Sequence, residues 1–155
     1  YKKEKERITR AIQRITDIHH VGSSAVPDLD GKNIIDIVIG VYPYEHIEDL
    51  TKELEKLGYI TKWIYYDREW TYLSTKRHDA TEGDFHIHIL RKGSKNYQNW
   101  LLFRDYLREH ENEKDRYAKL KPLWLASSKG VGMTYAQLKT DYINEVLKKA
   151  REEIV

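Results

Sequence analysis

Ile34-Ile35-Asp36-Ile37-Val38-Ile39-Gly40-Val41 reads as a buried strand, since a short β-branched run fits the interior of a sheet. Side chains alternate along a strand, so Ile34, Asp36 and Val38 share one face and Ile35, Ile37 and Ile39 the other. A carboxylate inside such a run is costly unless it is paired, metal-bound or at the mouth of a cleft. Asp36 is therefore the first candidate catalytic residue. The plainer alternative is an acid at a strand end, paired with Lys32 or a remote Arg.

The flanking segments supply the rest of a fold. Ile8, Ala11, Ile12 and Ile15 recur at helical spacing, so residues 3–16 are read as a helix. Residues 17–21 form a short strand running into Gly22. A second helix is expected over 44–57, on a stripe of Ile47, Leu50, Leu54 and Leu57, and Gly58 ends it. Residues 59–65 and 70–75 have aromatic and β-branched strand composition, and 84–90 alternate strictly. Helices follow at 96–110, 112–126 and 135–151, with Pro122 kinking or breaking the second and Thr134 capping the third. The fold class is α+β: a short mixed or antiparallel sheet, helices packed on one face, and a helical C-terminal third.

Composition narrows the function classes. The chain has 155 residues, a length that suits one domain over 1–155. At 40% hydrophobic and 34% charged it is globular rather than disordered. There is no Cys, which removes disulfides, thiolate metal sites and a cysteine nucleophile. That absence fits a reducing compartment, and with no apolar run of about 18 residues and no signal peptide the expectation is cytoplasmic, without membrane contact. A net charge of only +2 is low for a dedicated nucleic-acid binder, although Lys2, Lys3, Lys5, Arg7, Arg10 and Arg14 make the first helix basic.

Three further clusters carry chemistry. His19-His20-Val21-Gly22-Ser23-Ser24-Ala25-Val26-Pro27 is a small-residue turn whose N–H groups and hydroxyls suit a phosphate, or simply an ordinary turn. His86-Ile87-His88 puts two imidazoles on one strand face, with Asp84 just before them. Such a pair binds a metal, donates to phosphate or moves protons. Arg104 and Arg108 lie one helical turn apart, and their guanidinium forks match carboxylate or phosphate. Downstream, Tyr117, Lys119, Lys121 and Lys139 add polar and basic groups.

The order of these segments resembles the GrpB family over roughly residues 5–150: His20 to Pro27, Lys32-Asn-Ile-Ile-Asp-Ile37, Gly58-Tyr59, His86-Ile-His88, Phe103-Arg-Asp-Tyr-Leu-Arg108, Tyr117 to Lys121, Tyr135 and Lys139. That family is found alone or fused behind dephospho-CoA kinase in bacteria. The resemblance implies a polymerase-β-type nucleotidyltransferase fold. The nucleotidyltransferase pattern asks for a hydrophobic-Gly-Ser turn, here Val21-Gly22-Ser23, then a spacer and a strand bearing paired carboxylates, of which Asp36 is the first. It implies nucleotidyl transfer from an NTP to an unknown acceptor, with Asp36, His86 and His88 catalytic and metal-holding. His20, Gly22, Ser23, Ser24, Lys32, Arg104, Arg108 and Lys121 would contact phosphate or nucleotide.

The sequence departs from that pattern at Val38, where the second carboxylate belongs, and at His86 and His88, where a third acid is expected. Mg²⁺ prefers several hard oxygen ligands, so one Asp with two His suits Mn²⁺ or Zn²⁺ better, or phosphate binding without metal. Asp28 and Asp30 are extra acids near the turn. Two other expectations follow. One is a degenerate domain that holds a nucleotide or a phosphorylated metabolite, CoA-related for instance. The other is an RNA-interacting protein that uses the basic helix and exposed aromatics.

Overall fold

The computed structural model describes residues 1–27, 29, 34–75, 84–127 and 132–154. Lys32, Asp28 and Asp30 lie outside the described residues, as does the side chain of Asp84. Helix α1 (Lys2–Ala11) leads into β1 (Ile18–Val21), a one-turn 3-10 segment (Ser23–Ala25) and β2 (Ile34–Val41). Then come α2 (Ile47–Lys56), β3 (Tyr59–Tyr65), β4 (Trp70–Thr75) and β5 (Asp84–Arg91). The chain finishes with α3 (Lys95–Glu109), α4 (Glu111–Ser127) and α5 (Gly132–Ile154). The five strands form one mixed sheet in the order β1-β2-β5-β4-β3, in which only β2 and β5 are parallel. The α+β class and helical C-terminal third are as the sequence predicts. Among the described residues, no helix is long and apolar enough to cross a membrane.

Helices cover both faces of this sheet, not one. On the first face Ile37, Ile39, Leu73, Ile87 and Ile89 meet Ile8 of α1, Ile12 and Ile15 just beyond it, and Ile47, Leu50 and Leu54 of α2. On the second, Val21, Val38 and Leu90 meet Tyr97, Trp100 and Leu101 of α3. The physical reason lies in β2, whose residues are apolar on both sides and need cover on both. A third cluster joins α3, α4 and α5 through Phe103, Leu107, Tyr117, Trp124, Tyr142 and Val146. Val26 and Leu29 plug into that helical cluster, so the segment after the 3-10 turn is anchored from beneath.

Element ends differ from the sequence reading for local reasons. Ile12 leaves the helical region at φ −128°, yet Ile12 and Ile15 stay buried because the chain turns to enter β1. His46 sits in the left-handed region at φ 56°, which keeps Tyr44 and Glu45 out of α2. α4 continues through Pro122 rather than ending there, and Thr134 falls inside α5 rather than capping it.

Candidate functional site

The second face of the sheet carries the site. Register sets Asp36 of β2 between Val21 of β1 and His86 of β5, and His88 beside Val38. Asp36 Oδ1 lies 3.8 Å from His86 Nδ1 and 3.7 Å from His88 Nε2. The sequence-predicted trio therefore converges, with the Asp36 carboxylate still partly open to solvent.

Gly22 makes that convergence possible. It adopts φ +76°, and a Cβ there would lie 2.6 Å from Asp36 Oδ2. Only glycine gives both the left-handed conformation and the space. The turn is then held by side chains from α3: Arg104 donates to the His20 carbonyl at 3.2 Å and Arg108 to the Ala25 carbonyl at 2.8 Å. Arg104 also pairs with Asp105. Both arginines thus fasten the turn's backbone. His20 Nε2 lies 2.8 Å from Ser24 Oγ, and its ring stacks on Tyr1. Alternation along β1 sends His20 to the face opposite Asp36. Burial first, then the positive charges of the Tyr1 amino group, Arg108 and Arg104, lower the His20 pKa to about 4, so the ring is neutral near pH 7.

His88 is fixed by aromatic neighbours that the sequence reading did not single out. The Trp70 indole N–H donates to His88 Nδ1 at 3.1 Å. Tyr72 stacks on one side of the imidazole with centroids 5.1 Å apart, and Trp100 lies 4.6 Å away. Indole nitrogen only donates, so Nδ1 of His88 is the acceptor and the neutral ring carries its proton on Nε2, toward Asp36. His86 Nδ1 in turn meets the Tyr72 hydroxyl at 3.1 Å.

Among the described residues, this donor set does not fit the implied metal. A metal ligand needs a lone pair, and the His88 nitrogen that faces Asp36 holds a proton instead. Val38, at the second-carboxylate position, is fully buried beside Val21, Leu90 and Tyr97. Among the described residues, no group of three His, Asp or Glu side chains is arranged to hold a metal ion.

Two connected hollows open from Asp36. One, of about 340 Å³, is lined by Ser23, Asp36, Tyr72, His86, His88, Lys121 and Lys139. The other, of about 380 Å³, runs between α3 and α5 and is lined by Gly22, Ser23, Asp36, Trp70, Trp100, Phe103 and Lys139, among others. Lys121 also lies 5.9 Å from the centre of the Tyr117 ring. Gly22, Ser23 and Lys121, all predicted from sequence, line these hollows, whereas His20, Ser24, Arg104 and Arg108 do not.

A separate polar cluster lies at the start of β1. Tyr97 donates to Asp17 Oδ2 at 2.7 Å, and His19 Nε2 is 2.7 Å from Asp17 Oδ1. Gly40 leaves room for it, since a Cβ there would collide with Asp17 Oδ2. Burial and the Asp17 carboxylate push the Tyr97 pKa well up, so this hydroxyl keeps its proton. The cluster ties α3 to β1.

With this geometry in place, similar proteins are informative. The sequence pattern of a family described as GrpB protein matches residues 1–149. A UPF0157 protein of Halalkalibacterium halodurans is 28% identical over 151 residues, covering 97% of this chain and 75% of that protein. A UPF0157 protein of Streptomyces coelicolor is 30% identical, covering 97% of this chain and 77% of that protein. The UPF0157 protein YqkA of Bacillus subtilis is also 30% identical, but the chain spans only 43% of its length. Among solved structures, the conserved protein GrpB from Enterococcus faecalis superposes with a TM-score of 0.84 at 24% identity, covering 99% of this chain and 92% of that one. That likeness concerns the fold.

Proposed function

The chain belongs to the GrpB family, and from that premise we propose that it binds a phosphorylated small molecule bearing a free hydroxyl, without needing a resident metal. The observation that carries this reading is the 340 Å³ hollow, whose lining brings the Asp36 carboxylate together with Lys121 and Lys139. Ammonium groups take phosphate. A carboxylate repels phosphate but accepts a hydroxyl proton. The two kinds of group therefore sort the two ends of a phosphorylated alcohol, and the His88 Nε2–H adds a donor beside Asp36.

A second reading, nucleotidyl transfer, is favoured by one observation: Asp36 lies against the Gly22-Ser23 turn in the order that the nucleotidyltransferase pattern asks for. In that reaction an acceptor hydroxyl attacks the α-phosphorus of an NTP, pyrophosphate leaves, and Asp36 takes the hydroxyl proton.

The test is thermal-shift titration of ATP, GTP, CTP, UTP, CoA and ribose 5-phosphate with Mg²⁺, Mn²⁺, Zn²⁺ or EDTA. Ligands that bind only the folded chain raise Tm. The expected result is a shift that survives EDTA and shrinks in Lys139→Ala and Asp36→Asn. A shift that vanishes in EDTA, with pyrophosphate released when metal is restored, would replace this reading with the second. No shift for any of these compounds would overturn both.

A further inference from the structure

The slot between α3 and α5 is not closed as a helix–helix contact normally is. On α3, Asn96, Asn99, Trp100 and Phe103 follow one helical stripe, and on α5, Thr140, Ile143, Asn144 and Leu147 do the same. Such facing stripes are ordinarily filled by aliphatic side chains. Here each stripe mixes large apolar groups with carboxamide or hydroxyl groups, and together they leave the hollow of about 380 Å³. That volume falls in the range of small-molecule sites, which are mostly apolar with a few converging polar groups. Asn99 is held by Arg151 of α5. The slot's inner end meets the Asp36 hollow, sharing Ser23, Asp36, Trp100 and Lys139.

We propose that this slot binds a nucleobase, so that the phosphorylated ligand at Asp36 is a nucleotide. This rests on the reading that the Asp36 hollow holds a phosphorylated ligand. The chemistry selects the class. A base offers flat π-faces to Trp100, Trp70 and Phe103, and its rim presents donors and acceptors to Asn96, Asn144 and Thr140. A carboxamide supplies both a donor and an acceptor and suits such an edge. The ribose then falls at the shared neck, with hydroxyls near Asp36 and phosphate toward Lys139 and Lys121. An acyl chain would satisfy the apolar walls but leave these amides without partners, and pantetheine, although it carries amides of its own, has no π-face for the tryptophans.

The experiment compares AMP, GMP, CMP and UMP with ribose 5-phosphate and 4′-phosphopantetheine by calorimetry, while following intrinsic Trp fluorescence. At least one nucleotide should bind tenfold or more tighter than ribose 5-phosphate, as stacking and edge bonds predict. It should also quench Trp emission, which ribose 5-phosphate should not. Asn96→Ala/Asn144→Ala should weaken that nucleotide roughly tenfold and leave ribose 5-phosphate unchanged. Asn144 is exposed and Asn96 partly so, so the double variant should fold, which circular dichroism checks. Equal binding of nucleotides and ribose 5-phosphate would overturn the inference while sparing the reading beneath it. So would phosphopantetheine binding as tightly as any nucleotide, or an affinity difference untouched by the double variant. Failure of every phosphorylated compound to bind would instead sink the reading itself, and the inference with it.

Discussion

At the scale of single residues, three positions in and around the site, Trp70, Gly22 and His20, carry separate consequences. Trp70 sets the His88 tautomer through one hydrogen bond. Replacing it by Phe removes that donor, so the His88 ¹⁵N pattern should move from an Nε2–H tautomer to a mixture. A spectrum unchanged in Trp70→Phe would show that something else fixes the ring. Gly22→Ala places a side chain in a left-handed position against Asp36. It should lower the urea midpoint by the equivalent of about 1–3 kcal/mol and weaken ligand binding at Asp36. His20 gives a pH signature. Its folded pKa is about 4 against an ordinary 6.5, so between these values the unfolded chain binds a proton that the folded chain does not. Stability therefore falls as pH drops from about 6.5 to 4. Discounted for solvent screening at this half-open ring, the loss is about 1–2 kcal/mol. His20→Gln should flatten that part of a Tm-against-pH profile, and a variant profile parallel to wild type would refute the assignment.

At the scale of elements, the α4–α5 contact has one buried acid among its apolar side chains. Glu113 is buried, accepts from the Tyr142 hydroxyl at 2.9 Å and from Lys149 at 3.0 Å, and pairs with Arg116. Glu113→Ala leaves the Tyr142 hydroxyl only its longer 3.3 Å bond to the carbonyl of residue 113, takes the partner from Lys149, and should cost about 2 kcal/mol in chemical unfolding. Elements were also the most legible level of the sequence. The stripe in α2, the alternation of 84–90 and the β-branched run of β2 each announced themselves through their period. Cover on both faces was implicit in Val38 as much as in Ile37, but a strand does not say which neighbours cap it. His86, His88 and Asp36 could be put on their strand faces from sequence. Their meeting, and the grip of Trp70 and Tyr72 on the histidines, depended on the register of β2, β4 and β5, which no local pattern encodes. Asn96, Asn99 and Asn144 carry no local signal, because a polar residue on a helix looks the same whether it faces water or a slot. Arg104 and Arg108 drew attention as phosphate ligands, yet carbonyl oxygens of the turn satisfy a guanidinium fork as well.

At the scale of the whole molecule, the candidate ligand site joins the sheet to the helical third. A ligand seated there should protect amides in the Ser23–Ala25 turn and along α5 together in hydrogen exchange. At a hundredfold excess over Kd it should stabilise the chain by about 2.7 kcal/mol. Protection confined to one layer would mean that the ligand sits elsewhere. The parallel pairing of β2 with β5 carries a kinetic consequence. Antiparallel neighbours can zip from a hairpin, but these two strands meet only after α2, β3 and β4 have been made and set aside, and such long-range closure is slow. On the ribosome, Asp36 emerges well before the histidines it must meet. A complete cluster of Asp36, His86 and His88 therefore marks a chain folded at least through β5, and a chain interrupted before β5 holds the carboxylate without either histidine.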